Sequence, residues 1–195
     1  GGRVVAIGHP HLEVDRVLVD NREGARALAE HLVSLGHRQV GLLAGLRTMA
    51  STQDRISGLT EVVRRAGGKV ELRYVEATRD GGLAGAADVL GGRARVTAVV
   101  GTADQVAVGA LAYLRQAGTR VPEQMSVAGF NDIALSRDVS PALTTVALPL
   151  EDLGRAAMTL ALSLAPGPET LVRHFHTRLI VRESTGSVPL ESAPP

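Results

Sequence analysis

The strongest constraint on this chain is a rhythm running from residue 38 to residue 130, in which short unbroken apolar runs alternate with helical stretches that end on glycine. The runs are QVGLLAG (39–45), RYVEAT (73–78), VTAVVG (96–101) and MSVAGF (125–130). Between them lie helical patterns over 51–66, 81–90 and 104–117, and upstream Asn21 is positioned to cap a helix over 22–35. Asn at a helix start satisfies orphan N–H groups, and Gly past a helix end takes the left-handed conformation cheaply. Apolar runs of this length without alternation are strands buried on both faces. Joined through helices, such strands pair in parallel by right-handed crossovers. The middle of the chain therefore predicts a doubly wound α/β lobe.

The flanks follow a different plan. RVVAIG (3–8) and RVLVD (16–20) precede the first helix. After Phe130 come SPALTTVALP (140–149), a helical stretch over 150–164 and a last strand over 172–183. These pieces either extend the same sheet or build a second lobe, reached by crossings near 20–22 and 132–142. The Pro-, Ser- and Ala-rich tail over 187–195 is expected to be disordered.

Composition removes several function classes. The 195 residues are 45% hydrophobic and 21% charged, enough apolar matter for a real core. A net charge of +1, with scattered arginines, argues against strong nucleic-acid binding by this chain itself. No stretch approaches the length of a membrane-spanning helix. The absence of cysteine excludes a disulfide scaffold and a thiolate ligand or nucleophile. The N-terminal GGRVVAIGHP enters an apolar run almost at once; it lacks signal-peptide character and reads as starting inside a domain. Dinucleotide, Walker and nucleophile-elbow glycine motifs are missing, so no cofactor is expected. His9/His11 and His174/His176 are His-x-His pairs, a weak metal signal without cysteine partners, and are read as solvent-facing.

In an open parallel sheet, ligands sit beyond the carboxyl ends of the strands, where helix N-termini also converge. Here those positions are Gly8 and His9; Leu46, Arg47 and Ser51; Ala77 and Thr78; Thr102, Ala103 and Asp104; and Asn131 and Asp132. Arg55 falls in the opening turns of its helix, where the dipole disfavours a cation. It is either a surface arginine paired with Asp54 or a neighbouring acid, or a fork of donors for ligand oxygens. Asp104 is read as a helix N-cap rather than a general acid.

The segments VDNREGARALAEHLVSLGHRQVGLLAG, DRISGL, TADQVAVGALAYLRQAGTRVPEQMSVAGFND, SPALTTV, LEDLGRAA and LIVREST, in this order, resemble the lactose-repressor (LacI/GalR) family of bacterial transcriptional regulators. The resemblance runs from residue 1 to about 186. It implies a cytoplasmic regulator with a two-lobed effector domain of the periplasmic-binding-protein type. Residues 21–140 would form the C-terminal lobe, and residues 1–20 and 141–183 a partial N-terminal lobe. The family's helix-turn-helix is absent from this sequence, so operator DNA would be bound only through that missing part.

Arg55 matches the family's effector-binding arginine, and Ser51, Thr102, Ala103, Ala77, Asn131, Leu148 and His9 fall at or beside its other contact positions. Gly8 stands where an acid is frequent, Ala77 where an aromatic is frequent and Leu148 where glutamine is frequent. The pocket is thus expected to be less polar than a typical sugar site, for a sugar, a nucleoside or a bulkier apolar effector. The resemblance also implies a homodimer with Val106, Ala110, Tyr113, Leu135 and Val139 at or near the interface. Against this stands the reading of the same helix face as core. Two other classes remain: a secreted solute-binding protein of related fold, and an α/β enzyme, for which no nucleophile–base pair is present.

Overall fold

The chain enters and leaves a small sheet and a large one in turn. The computed structural model describes residues 4–92, 95–163 and 170–188. The small sheet holds β1 (Val5–Ile7), β2 (Asp15–Val19) and β8 (Val172–Phe175) in the order β1-β2-β8, all parallel. The large sheet holds β3 (Gln39–Ala44), β4 (Lys69–Tyr74), β5 (Ala98–Gly101), β6 (Ser126–Asn131), β7 (Thr144–Ala147) and β9 (Arg178–Ile180). Its order is β4-β3-β5-β6-β7-β9, parallel throughout except for the antiparallel β7–β9 pair.

Helices α1 (Asn21–Ser34) and α2 (Ala50–Arg65) cover one face of the large sheet, and α3 (Arg79–Gly91) and α4 (Asp104–Gln116) the other. Strand periodicity explains the division. Val40, Leu42, Ala98, Val100, Ala128 and Phe130 pack with Leu28, Leu32, Leu59 and Val63. Their alternates Leu43, Val99 and Val127 pack with Val89, Val106, Ala110 and Leu114. Two buried faces require unbroken apolar strands, the pattern seen in the sequence. Each buried Leu or Phe contributes about 1.5–3 kcal/mol over exposure. A short helix α5 (Leu135–Asp138) follows β6, and α6 (Leu150–Leu162) lies on the small sheet through Leu153, Ala156, Ala157 and Leu160.

The structure redraws the expected domain boundaries. Residues 144–147 and 178–180, placed by the sequence in the partial N-terminal lobe, are strands of the large sheet. The single strand expected over 172–183 is two strands, one in each sheet, because the chain crosses at His176 and Thr177. Strand β4 starts at Lys69, earlier than expected, pairing with β3 from Gln39 onward. Asp20, not Asn21, occupies the N-cap of α1, and neither caps through its side chain. Thr78 does cap α3, its hydroxyl accepting from the Gly81 N–H at 3.0 Å. Val188, expected in the disordered tail, donates its N–H to the Leu35 carbonyl at 2.9 Å; residues 189–195 lie outside the described residues.

Candidate functional site

The chain passes between the sheets at Asp20, at Leu148 and Pro149, and at His176 and Thr177. Two of these crossings are tied together. The Asp20 N–H donates to the Phe175 carbonyl at 3.0 Å, and the Asp20 carboxylate meets His176 Nδ1 at 2.6 Å. His174 Nδ1 lies 3.9 Å from the same carboxylate. Beside them opens a cavity of about 220 Å³ lined by Gly8, Pro10, Leu18, Val19, Asp20, Asn21, Arg22, Asp54 and His174. Its walls come from both lobes.

Arg55, on the second turn of α2, is held from three directions. Its Nε donates to Asn21 Oδ1 at 2.9 Å and its Nη1 to the Thr102 carbonyl at 2.5 Å. Its Cζ lies 3.9 Å from the centroid of the Phe130 ring, itself 1% exposed. Among the described residues nothing bonds Nη2. Burial lowers the Arg55 pKa to about 10, against the opposing charges of Asp104 and Asp54, so the guanidinium stays ionised at neutral pH. No ion pair joins it to Asp54, so the surface-pair reading does not describe this site. Asp54 itself has no hydrogen bond or ion pair among the described residues, and burial raises its pKa against Arg22, Arg55 and His11. That this carboxylate stands in the cavity wall with no hydrogen-bond or ion-pair partner among the described residues has no signature in the sequence, where its place beside Arg55 suggests simple pairing.

The other expected positions separate. Ser51 is half-buried in the first turn of α2. Asn131, at the end of β6, has φ +117° and is followed by Asp132 at φ +55°. Positive φ outside glycine costs of order 1–3 kcal/mol and gathers at functional sites. Asp132 is clamped by Arg182 at 2.6 Å. Thr102 is buried; its hydroxyl accepts from the Gly45 N–H at 3.1 Å and its carbonyl from Arg55, so it supports the site from behind. Ala103 occupies the α4 N-cap, Ala77 is exposed beside Gly45, and Leu148 packs on the large core at a crossing. His9 is exposed, and its neighbours Gly8 and Pro10 line the cavity in its place. Asp104 is no N-cap: fully buried, it accepts from the Ile133 N–H, the Ser136 hydroxyl and the Thr145 hydroxyl. It fixes the loop after β6 to β7.

Of the positions expected at a dimer interface, Val106 and Ala110 are fully buried in the lobe's own core and have no surface to offer. Tyr113 packs on that core, Leu135 is 42% exposed, and Val139 is half-buried. Val139 lines a groove of about 600 Å³ with Val108, Leu111, Ala112 and Pro141. That groove is larger than the inter-lobe cavity but contains none of the strand-end residues. Among the described residues no group of three His, Asp or Glu is placed to hold a metal, and no helix is long and apolar enough to cross a membrane.

Comparison with known proteins adds a family. The periplasmic binding protein-like domain matches residues 29–185. The HTH-type transcriptional regulator CelR of Thermobifida fusca is 33% identical over 191 residues, covering 94% of this chain and 55% of that protein. The HTH-type transcriptional repressor CytR of Escherichia coli K12 is 33% identical, covering 92% of this chain and 54% of that protein. The chain thus spans about half the length of these curated relatives. A LacI family regulator of Enterococcus faecium with bound ribose superposes with a TM-score of 0.88 at 26% identity, over 97% of this chain and 72% of that one. A CelR–cellobiose complex gives 0.85 at 30% identity, over 92% and 58%.

Proposed function

The chain belongs to the periplasmic binding protein-like domain family, in the form carried by LacI-family transcriptional regulators, and from that premise we propose that it binds a small polyhydroxylated effector between its lobes. The observation that carries this reading is Arg55, stacked on Phe130, tied through Nε and Nη1, and left with Nη2 unbonded among the described residues. A guanidinium fixed in this way is a preorganised donor for hydroxyl oxygens. Asp54, next to Arg55 on α2 and in the wall of the cavity between the lobes, is the proposed acceptor. Ser51, Asn131, Leu148 and Ala77 do not line that cavity and enter the proposal only as positions the family resemblance indicates. The ligand is a sugar or a nucleoside, since ribose and cellobiose occupy the solved relatives.

Binding, rather than turnover, is the proposed activity. An effector that favours one inter-lobe angle shifts the population of that state by its differential affinity alone. In the whole protein that angle would govern operator binding in the cytoplasm through a separate DNA-reading domain. CelR and CytR are transcriptional regulators, which favours this over a secreted solute receptor. A second copy of the chain is the proposed occupant of the groove beside Val139 and Leu135, a position the family resemblance also indicates. Sedimentation equilibrium should give a dimer that Leu135→Glu converts to monomer without loss of fold.

Calorimetry and thermal-shift measurements with ribose, cellobiose and nucleosides test the effector reading. At least one should bind and raise Tm, and Arg55→Ala should remove that rise while the protein stays folded. Equal affinity in the variant overturns the site.

A further inference from the structure

We propose that Asn21 is the positioning residue that couples the Arg55 guanidinium to the crossing between β2 and α1. Its side chain makes two bonds that point in opposite directions along the chain. Oδ1 accepts from Arg55 Nε at 2.9 Å, in the large lobe. Nδ2 donates to the carbonyl of Val19 at 3.2 Å, the last residue of the small-sheet strand β2. Only one orientation of the amide satisfies both partners, because a carbonyl oxygen only accepts and a guanidinium N–H only donates. The residue is 6% exposed, so neither bond is easily replaced by water.

Asn21 is not spent on helix capping. The α1 N-cap is Asp20, and no side-chain cap bond forms there. Asp20 instead joins the second crossing, through its N–H to Phe175 and its carboxylate to His176. Asn21 is therefore the link between a knot of two crossings and the side chain that meets the effector. A ligand that draws on Arg55 Nη2 moves the guanidinium, and the Nε bond passes that movement to the strand whose direction sets the lobe angle. This step rests on the crevice being an effector site, but the coupling of Asn21 to lobe order exists without ligand.

The chain lacks cysteine, so Arg64→Cys on α2 and Met158→Cys on α6 give one spin label on each lobe. In that background Asn21→Asp keeps the acceptor for Arg55 and removes the donor to Val19, whereas Asn21→Leu removes both. In ligand-free protein the inter-lobe distance distribution should broaden in both variants. The Arg55 Nε–H resonance should exchange slowly in the parent, persist in Asn21→Asp and be lost in Asn21→Leu. Added ribose or cellobiose should shift the parent distribution and leave that of Asn21→Asp unmoved. A parent-like ligand-free distribution in Asn21→Asp overturns the proposal, as does a retained Arg55 resonance in Asn21→Leu. If Leu prevents folding, Asn21→Ser, too short to reach the guanidinium, takes its place in the same comparison. A parent that no sugar moves counts against the effector reading, while the ligand-free measurements still decide the role of Asn21.

Discussion

The Cζ of the Arg55 guanidinium stands over the Phe130 ring, 3.9 Å from its centroid, and the ring is buried in the core between the sheet and α1 and α2. A desolvated contact of this kind contributes about 2 kcal/mol or more. The Nε and Nη1 bonds fix rotation about the stack. Arg55→Lys retains the charge but can satisfy neither the planar stack nor the two directed bonds at once. Calorimetry should show effector affinity at least about tenfold weaker, on the basis that 1.4 kcal/mol is a factor of ten. Circular dichroism should show the fold retained. Unchanged affinity would mean that charge alone, not geometry, is what the site uses.

Asp54 sets an opposite pair of demands on stability and binding. Burial raises its pKa in the folded state, so the folded protein holds this proton more tightly than the unfolded chain. Stability from this group is therefore present below the unfolded value and is lost as pH rises through the folded value. At neutral pH the ionised carboxylate is a cost, which Asn does not carry. Asp54→Asn should raise Tm at neutral pH, and the gap should close below the ordinary carboxylate range. The same variant should weaken binding of a hydroxylated effector, because an acceptor in the crevice becomes half donor. Melting curves across pH, paired with calorimetry, read both effects.

What the sequence made legible was what local periodicity controls. The alternation in Val40, Leu42 and Leu43 already contained the two-faced core, and the position of Arg55 after β3 already placed it at the strand ends. Its commitments to Asn21 and Thr102, which are 34 and 47 residues away, have no local signature. The break between β8 and β9 was invisible for a related reason. The run from Val172 to Glu183 stays free of Gly and Pro, and only the change of pairing partner, from β2 to β7, ends one strand and begins the next. Val106 and Ala110 are interface positions only by family resemblance, while the apolar face of α4 is equally what a core helix shows. In fact nearly all of that helix is buried, so its pattern cannot say which residues meet another surface.

His37 should govern much of the acid sensitivity. It is buried, with Nε2 donating to the Gly186 carbonyl at 3.0 Å and Nδ1 lying 2.9 Å from the Thr97 hydroxyl oxygen, whose own proton can go to the Gln39 carbonyl. The carbonyl can only accept, so the proton of the neutral ring sits on Nε2, and a second proton would bring a charge into this buried position. Burial lowers its pKa from 6.5, helped by the charges of His31 and Arg38 and opposed by the Gly186 bond. The unfolded chain therefore binds the extra proton first. The stabilisation is present above 6.5 and falls away as pH drops below it. One such group changes stability by at most about 1.4 kcal/mol per pH unit. Urea titrations from neutral to mildly acidic pH should show this decline, and His37→Gln should flatten it in part, leaving the share owed to His31, which burial shifts in the same direction.

Gly58 decides whether Arg55 reaches its partners at all. It sits on α2 one turn after Arg55, where α2 crosses the start of α1. A Cβ at this position would collide with the Arg22 carbonyl oxygen and press on Ala25 at 3.1 Å. The obstructing atom is backbone, so relief requires the helices to separate. Overpacking of this kind typically costs 1–3 kcal/mol, or about that much less any gain in helix propensity over glycine. Moving α2 outward also withdraws Arg55 Nε from Asn21, whose helix is the one being pushed away. Gly58→Ala should therefore lower the urea midpoint and weaken effector binding together. Gly91→Ala, at a position where a Cβ meets nothing within 4 Å, is the control and should do neither. A Gly58→Ala protein of reduced stability but full affinity would show that the site tolerates helix separation, and that the α1–α2 contact serves the fold alone.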